Sequence, residues 1–326
     1  MRRRVLFAST AAATLVSSIA RAQKPVMPVI GYLEAGSASE TAHLNAAFRE
    51  GLSEVGYVEG RNVLLESRWA EGHYERLPPL AADLVRRKVA VIATTGGGPS
   101  ALAARAASTT TPIVFHVGLD PVAMGLVASL NRPGGNLTGV TSLANELGAK
   151  RLGLLHELVS PAASIALLFN TNNSSMQALA NDVEAAARTL GRTLQVYHAS
   201  SDIELDTVFA TLVQQRVGGL LIAPDGFFNS RSEQLAALAL RHAIPAIFQD
   251  DEFATAGGLM SYGAKLKDVY RLVGIYSGRI LKGEKPSDLP VQQVTRVELI
   301  INLKTAKALG LTIPPSILAR ADEMIE

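Results

Sequence analysis

The chain has 326 residues, of which 48% are hydrophobic and 18% charged, so it is long enough for two folded domains with large buried cores. It contains no cysteine, which excludes disulfides, thiolate metal sites and a lipid-modified cysteine. The formal net charge is only +2, so no nucleic-acid partner is expected.

The first residues have the pattern of an export signal. Met1 is followed by three arginines, an uncharged run from Val5 to Ala20 and a small-x-small sequence that ends at Ala22. This pattern is typical of a cleaved signal peptide over residues 1–22, by either the general secretory or the twin-arginine route. Loss of that leader removes four arginines and lowers the formal net charge from +2 to −2. The mature chain is therefore expected in a bacterial periplasm.

Strand-like and helix-like segments alternate from Val29 to about Ser142. The strand-like segments are almost wholly apolar, which is typical of a parallel sheet covered by helices on both faces. In chain order the strand-like and helix-like segments are VIGYLEAG (strand), TAHLNAAFREGLSEVGYVEG (helix), NVLLESRWA (strand), ERLPPLAADLVRRK (helix), VAVIATT (strand), GPSALAARAAST (helix) and TPIVFHVG (strand).

A second alternating series follows and resembles the first. ALAARAASTTTPIVFHVGLD in the first series parallels ALALRHAIPAIFQDDE in the second, each an alanine-rich helix, a proline and a short apolar strand. The predicted fold class is therefore α/β, with two Rossmann-like lobes whose parallel sheets are flanked by helices.

Two lobes of this kind bring the carboxyl ends of both sheets to the sides of one cleft, where open α/β sheets bind their ligands. The turns after the strands are rich in small polar residues, which suit a small polar ligand held by hydroxyls, amides and helix starts. The candidate ligand contacts in these turns are Ser37, Thr95, Gly96, His116, Asn170, Asn172, Asp225 and Gln249.

A glycine triplet separates one predicted strand from the next helix, in TTGGGPS (residues 94–100). Glycines let the backbone approach a ligand, and the free N–H groups of a helix start attract anions. The run has neither the G-x-G-x-x-G spacing nor the Gly-Lys-Ser/Thr ending of the nucleotide-binding motifs. Gly98 before Pro99 is equally consistent with an ordinary helix start. An anion seat and a plain helix start both stay open.

Several polar candidates also have a structural interpretation. His116 ends a predicted strand at the cleft. Asp120 precedes a proline and is interpreted as the N-cap of a helix that begins at Pro121, in preference to a direct ligand contact. Asp225 follows a buried strand, and no periodic helix after it requires a cap. It is interpreted either as the partner of an ammonium group or as a turn former. Asn170 and Asn172 are interpreted either as hydrogen-bonding groups of the cleft or as turn residues.

Catalytic and metal-binding patterns are absent from the sequence. There is no cysteine nucleophile, no G-x-S-x-G elbow and no H-E-x-x-H pair among the six histidines. The chain is therefore predicted not to be an enzyme and to use no cofactor and no metal.

Four longer blocks carry a resemblance to a known family. They resemble the ABC-transporter substrate-binding proteins, a family that includes binders of tryptophan and other aromatic amino acids. The resemblance implies a type I periplasmic-binding-protein fold with three segments that cross between the lobes. The blocks are GLDPVAMGLVASLNRPGGNLTGVTS (118–142), AGGLMSYGAKLKDVYR (256–271), RILKGEKPSDLPV (279–291) and INLKTAKALGLTIPPSILARADEMIE (301–326).

The resemblance also implies limits for the two lobes. Because the chain crosses three times, each lobe is built from two separate stretches. The helix that begins near Lys267 is expected to return to the first lobe, and the last segment to complete the second. The implied limits are 26–142 plus 261–290 for lobe 1 and 143–260 plus 291–326 for lobe 2.

Similarity to the family implies roles for the candidates. Ser37, Thr95 and Gly96 would meet a ligand carboxylate, and Asp225 would meet an amino group. The expected function is binding without turnover by a monomeric periplasmic protein. The expected ligand is a small polar metabolite, with an amino acid, aromatic ones included, as the first choice. The protein is expected to deliver this ligand to an ABC permease in the inner membrane. The alternatives are a ligand-sensing module for a membrane receptor and, less favoured, a cofactor-dependent enzyme.

One departure from the family pattern follows the DLPV run. Relatives often have a proline and a phenylalanine in a QPTKFELVIN-like run, where this chain has QQVTRVELIIN with Val294 and Val297. Both valines are expected to lie in a strand rather than in the cleft.

Overall fold

The computed structural model describes residues 27–173 and 176–326. The predicted signal peptide lies outside the described residues. The strands, in chain order, are β1 (Val29–Glu34), β2 (Leu64–Trp69), β3 (Val91–Thr94), β4 (Ile113–Val117), β5 (Leu137–Thr141), β6 (Ile165–Phe169), β7 (Leu194–His198), β8 (Gly219–Ile222), β9 (Ala246–Phe248), β10 (Met260–Gly263), β11 (Gln292–Gln293), β12 (Glu298–Asn302) and β13 (Glu323–Ile325).

The helices alternate with these strands, as the apolar periodicity predicts. Two short 3₁₀ turns lie at Tyr74–Arg76 and Pro286–Asp288. The α-helices are α1 (Ala42–Glu54), α2 (Leu77–Arg86), α3 (Gly98–Ala107), α4 (Gly148–Leu158), α5 (Met176–Thr189), α6 (Asp202–Gln214), α7 (Gly226–Asn229), α8 (Ser232–Arg241), α9 (Asp251–Thr255), α10 (Leu266–Leu281), α11 (Leu303–Ala308) and α12 (Pro315–Leu318).

The strands form two separate sheets. The first has the strand order β11-β5-β4-β3-β1-β2, and the second has the order β13-β12-β10-β9-β8-β6-β7. Neighbouring strands run parallel in both sheets except for the antiparallel pair β10 and β12. The predicted fold class, two parallel-dominated α/β lobes flanked by helices, is confirmed.

Helices cover both faces of the first sheet, which explains its continuous apolar strands. On one face Tyr32 and Ala93 pack with Phe48 of α1 and Val273 of α10 in one buried cluster. The opposite face carries a second cluster that includes residues of α2 and α3. Because both faces are covered, every residue of β3, β4 and β5 is buried.

Helix α10 belongs to the first lobe although it follows a strand of the second sheet. It packs against α1 so closely that a Cβ added at Gly51 would overlap the Arg271 carbonyl, and one at Gly274 would overlap the Phe48 carbonyl. Glycine at both positions lets the two backbones approach each other. Helix α10 thus packs with the first sheet, in the position that the resemblance implies.

The chain passes between the sheets three times. Sheet membership places residues 261–263 in the second sheet and residues 292–293 in the first. The second and third passages therefore lie a few residues later than the predicted limits of the lobes. Those limits stay predictions as domain boundaries. Val294 and Val297 lie between β11 and β12 and outside any strand, so the expectation of a strand there is wrong.

Within residues 27–173 and 176–326, none of the helices has the length and apolar character that a membrane span requires.

Candidate functional site

A cavity lies between the carboxyl ends of the two sheets, the place where open α/β sheets bind their ligands. Both lobes contribute to its wall, and glycines and small polar residues predominate. The first lobe and the first passage supply Thr95, Gly96, Gly97, Gly98, His116, Gly118, Leu119, Ser142 and Asn145, and the second lobe supplies Asn173, Met176, Pro224, Asp225, Gly226, Asn229 and Gln249.

The glycine turn between β3 and α3 forms one side of this cavity. Gly97 precedes the helix with a φ of 77°, a conformation that favours glycine. The Oγ atom of Ser100, in the first turn of α3, is buried and has no hydrogen-bond partner among the described residues. The helix-start interpretation is confirmed because α3 begins at Gly98. The anion-seat interpretation stays a prediction, and the turn faces the cavity as that interpretation requires.

A buried carboxylate supports this turn from behind. The Glu34 side chain accepts hydrogen bonds from the Ala35 and Gly36 backbone N–H groups at 2.9 and 3.2 Å. It also accepts from the Thr95 and Tyr270 hydroxyls at 2.6 and 3.0 Å. Burial raises the pKa of the Glu34 carboxyl, and the hydrogen bonds that it accepts oppose that rise. The Thr95 hydroxyl thus holds the turn to β1.

His116 lies at the end of β4 on the wall of the cavity and is almost fully buried. Its Nε2 atom lies 3.4 Å from the Ser142 hydroxyl, and its Nδ1 atom has no partner at hydrogen-bonding distance among the described residues. Burial lowers the pKa of His116 to about 4, against a smaller opposing contribution from the Thr95 backbone. The imidazole is therefore neutral near pH 7.

Asp225 forms the centre of a buried network in the second lobe. Its Oδ1 atom accepts from the Asn170 amide at 3.0 Å and from the Phe227 N–H at 3.0 Å, and its Oδ2 atom accepts from the Asn173 amide at 2.7 Å. Burial raises the pKa of this carboxyl, and the accepted hydrogen bonds oppose that rise. The expectation that no helix here requires a cap is wrong, because Asp225 caps α7, whose four residues are too few to show a period.

Two hydrogen bonds of Tyr74 join the first lobe to this network. The Tyr74 hydroxyl, on the 3₁₀ turn after β2, donates to Asp225 Oδ1 at 2.7 Å and accepts from the Phe227 N–H at 3.0 Å. Beside it, a Cβ at Gly226 would stand 3.1 Å from the Gly96 carbonyl oxygen. The two lobes therefore touch at the cavity, so the structure is a closed arrangement.

The structure brings five of the predicted ligand contacts together at the cavity: Thr95, Gly96, His116, Asp225 and Gln249.

The other three predicted contacts do not line the cavity. Ser37 bonds to Glu40 on the outer side of the turn. Asn170 is fully buried behind Asp225, and Asn172 is exposed. The side-chain oxygen of Asn170 accepts from the Asn172 backbone N–H at 3.0 Å, as in a turn. A direct ligand contact stays a prediction for all three, and their present positions do not favour it.

Several residues of the site were not among the predicted contacts. Ser142, Asn145 and Asn229 line the cavity, and Tyr74 closes the network beneath it. Ser142 and Asn145 follow β5 at the first passage, so the rule that ligands meet strand ends would have found them. Tyr74 lies in a turn with no strand-end signal.

A polar cavity closed between two α/β lobes is characteristic of two-lobed solute-binding proteins. This chain belongs to the family described as ABC transporter substrate binding protein, whose model matches residues 29–325. It is thus a substrate-binding protein, in a family of binding proteins rather than enzymes, as the sequence predicts.

Individual relatives agree with that assignment. A tyrosine-binding protein of Clostridioides difficile (strain R20291) is 26% identical over 264 residues, which are 81% of this chain and 75% of the relative. The structure resembles an ABC domain from Streptococcus pneumonia in complex with L-Trp, with a TM-score of 0.79, 23% identity and coverage of 92% and 100% of the two chains. It also resembles a conserved domain protein from Vibrio cholerae O1, with a TM-score of 0.82, 24% identity and coverage of 92% and 100%.

Proposed function

We propose that the protein binds a single amino acid, from a class that includes the aromatic ones, in the cavity between its lobes. We further propose that it does so in the periplasm as a monomer and that it delivers the ligand to an ABC permease in the inner membrane. The observation that carries the proposal is the small polar cavity with wall residues from both lobes, in a chain of this family.

The glycine turn suits the carboxylate of such a ligand. The N-terminus of α3, a helix of ten residues, has no side-chain cap and faces the cavity through Gly97 and Gly98. Backbone N–H groups at a helix start favour an anion, and the unpartnered Ser100 hydroxyl lies in the same helical turn. No lysine or arginine is present among the described lining residues, so the helix start is the best available anion partner.

The amino group of the ligand would face the second lobe. Asp225 is the one acidic residue among the described residues that line the cavity. Three donors in its own lobe bond to its carboxylate, so the carboxylate is oriented before the lobes close. A ligand ammonium group beside it would gain a charge-assisted hydrogen bond. The ligand class itself is supported by the tyrosine-binding relative and by the L-Trp complex.

Melting curves of the purified protein with each of the common amino acids test this function. A ligand at a hundred times its Kd raises the unfolding free energy by about 2.7 kcal/mol, which shifts the melting temperature by several degrees. Gly226→Leu should abolish the shift, because a side chain there would meet the Gly96 carbonyl and prevent closure. Gly135→Leu is the control, since Gly135 is exposed and has no atom within 4 Å of its Cβ position. No shift with any amino acid would refute the proposed ligand class.

Cell fractionation and uptake measurements test the location and the role in transport. The protein should appear in the periplasmic fraction, and its deletion should abolish high-affinity uptake of the ligand found in the melting experiments. If deletion leaves uptake intact and removes a response to the same ligand, the alternative of a sensing module would be correct.

A further inference from the structure

Asn145 places an unused hydrogen-bond donor on the wall of the cavity. It follows β5 at the first passage between the lobes, where its backbone N–H donates to the Gly118 carbonyl at 3.0 Å. Its side chain lines the cavity and is only 7% exposed. The amide nitrogen Nδ2 is buried and has no hydrogen-bond partner among the described residues. A buried donor without a partner is costly, so such a group indicates a ligand atom that completes it.

The position of Asn145 is restrained by its neighbours. Its amide oxygen lies against Gly118, 3.2 Å from where a Cβ at that position would stand. The backbone hydrogen bond to the same glycine attaches Asn145 to the end of β4. The side chain is therefore held by the first lobe and is present in the cavity before the ligand binds.

Apart from Asp225, the polar side chains that line the cavity with Asn145 are uncharged. His116 and Ser142 line the same cavity. Burial keeps the His116 imidazole neutral near pH 7, because it lowers the pKa of this group. Asp225 provides the one formal charge among the described lining residues, and none of these residues is a lysine or arginine. A second carboxylate on the ligand would find no cation here. Since the proposed function places the ligand carboxylate at the start of α3, the acceptor that meets Asn145 is a neutral group, as in a hydroxyl or a carbonyl oxygen.

We infer that Asn145 determines specificity, and that the ligand carries a neutral hydrogen-bond acceptor in its side chain that accepts from the Asn145 amide. This inference rests on the proposed function, since it assumes an amino acid in the cavity. Among the aromatic amino acids this requirement favours tyrosine, because its phenol oxygen accepts a hydrogen bond. The indole N–H of tryptophan only donates, and the side chain of phenylalanine has no polar group. A site built to bond a hydroxyl rejects the analogue that lacks it.

Calorimetric titration of the ligand-free protein with L-tyrosine, L-phenylalanine and L-tryptophan tests the inference. Tyrosine should bind at least about tenfold more tightly than phenylalanine to the natural sequence. Asn145→Ala should reduce that ratio to near one, and Asn145→Leu should favour phenylalanine. Asn62→Ala is the control outside the cavity: this exposed asparagine bonds only to the Val58 N–H and the Gly56 carbonyl, at 2.7 and 2.8 Å, so the ratio should stay as in the natural sequence.

The possible results separate the two proposals. If no amino acid binds, both the proposed function and this inference are refuted. If phenylalanine or tryptophan binds the natural sequence as tightly as tyrosine, or if Asn145→Ala keeps the preference, the inference is overturned and the proposed function stands. The comparison of tyrosine with phenylalanine needs no variant, so the inference is tested even if Asn145→Ala does not fold.

Discussion

The Tyr74 hydroxyl donates a hydrogen bond to the Asp225 carboxylate at 2.7 Å across the boundary between the lobes. The two residues are 151 positions apart, and each is buried. In a protein that alternates between open and closed lobes, this bond exists only in the closed arrangement, because Tyr74 moves with the first sheet and Asp225 with the second. The bond therefore contributes to the free energy of closure.

Tyr74→Phe should weaken ligand binding by about tenfold or more, because a hydrogen bond to a charged group contributes about 1.5–3 kcal/mol and its loss acts on the closed form alone. Calorimetric Kd values measure the effect. Tyr276→Phe is the matched control: its hydroxyl donates at 2.8 Å to the Pro290 carbonyl within the first lobe. That control should lose stability and keep its affinity. Equal affinities of Tyr74→Phe and the natural sequence would show that the bond does not contribute to closure.

Local patterns were sufficient to predict the fold and some of the wall residues at strand ends. Thr95 follows β3 and His116 lies near the end of β4, two apolar strands that are buried on both faces, and the carboxyl ends of parallel strands converge on one edge. The Asp120 side chain accepts from the Val122 N–H at 2.8 Å as a cap would, but residues 121–125 form a turn, so the predicted helix start at Pro121 is wrong.

Contacts between distant segments could not be predicted in the same way. Tyr74 reaches Asp225 through the packing of one lobe on the other, and no periodicity encodes that approach. Helix α7 was not predicted, because its four residues complete barely one turn and show no apolar periodicity. Ser37 lies in a turn after a strand and still faces away from the cavity, because the position of a turn does not determine which way its side chains point.

Gly96→Ala should destabilise the protein by about 1–3 kcal/mol and abolish ligand binding, because an added Cβ would overlap the Ala35 nitrogen and the Ser100 hydroxyl. The collision would displace the turn that faces the cavity. Denaturant unfolding and calorimetry measure the two effects. Gly135→Ala is the control, since its added Cβ meets no atom within 4 Å. Normal binding by Gly96→Ala would show that this turn does not contact the ligand.

Glu34→Gln should become more stable relative to the natural sequence as the pH rises above about 4.5. Burial raises the pKa of Glu34 above its ordinary value of 4.5. A carboxyl with a higher pKa in the folded state favours folding below its unfolded pKa, and this contribution is lost as the pH rises through the folded pKa. Glutamine does not ionise and keeps an oxygen for the Ala35 and Gly36 N–H groups.

Unfolding free energies of both proteins from about pH 4 to about pH 8 measure this difference. Glu284→Gln is a control of opposite sign, because the hydrogen bond from Arg279 lowers the pKa of that exposed carboxyl. The unfolding free energy of the natural sequence should therefore rise slightly relative to that of Glu284→Gln as the pH rises. A difference between Glu34→Gln and the natural sequence that is constant with pH would show that Glu34 titrates as in the unfolded chain.

His116→Gln should remove a loss of stability that the natural sequence shows in acid. Burial lowers the pKa of His116 from 6.5 to about 4, so the folded protein binds this proton less tightly than the unfolded chain does. The contribution of His116 to stability is complete above pH 6.5 and is lost as the pH falls toward 4, by a total of about 3 kcal/mol. Unfolding free energies of both proteins across this interval measure this loss. Because Glu34 contributes with the opposite sign above about pH 4.5, the two variants should change the slope in opposite directions over the same interval. An unchanged slope in His116→Gln would mean that the imidazole is accessible to water in the folded protein.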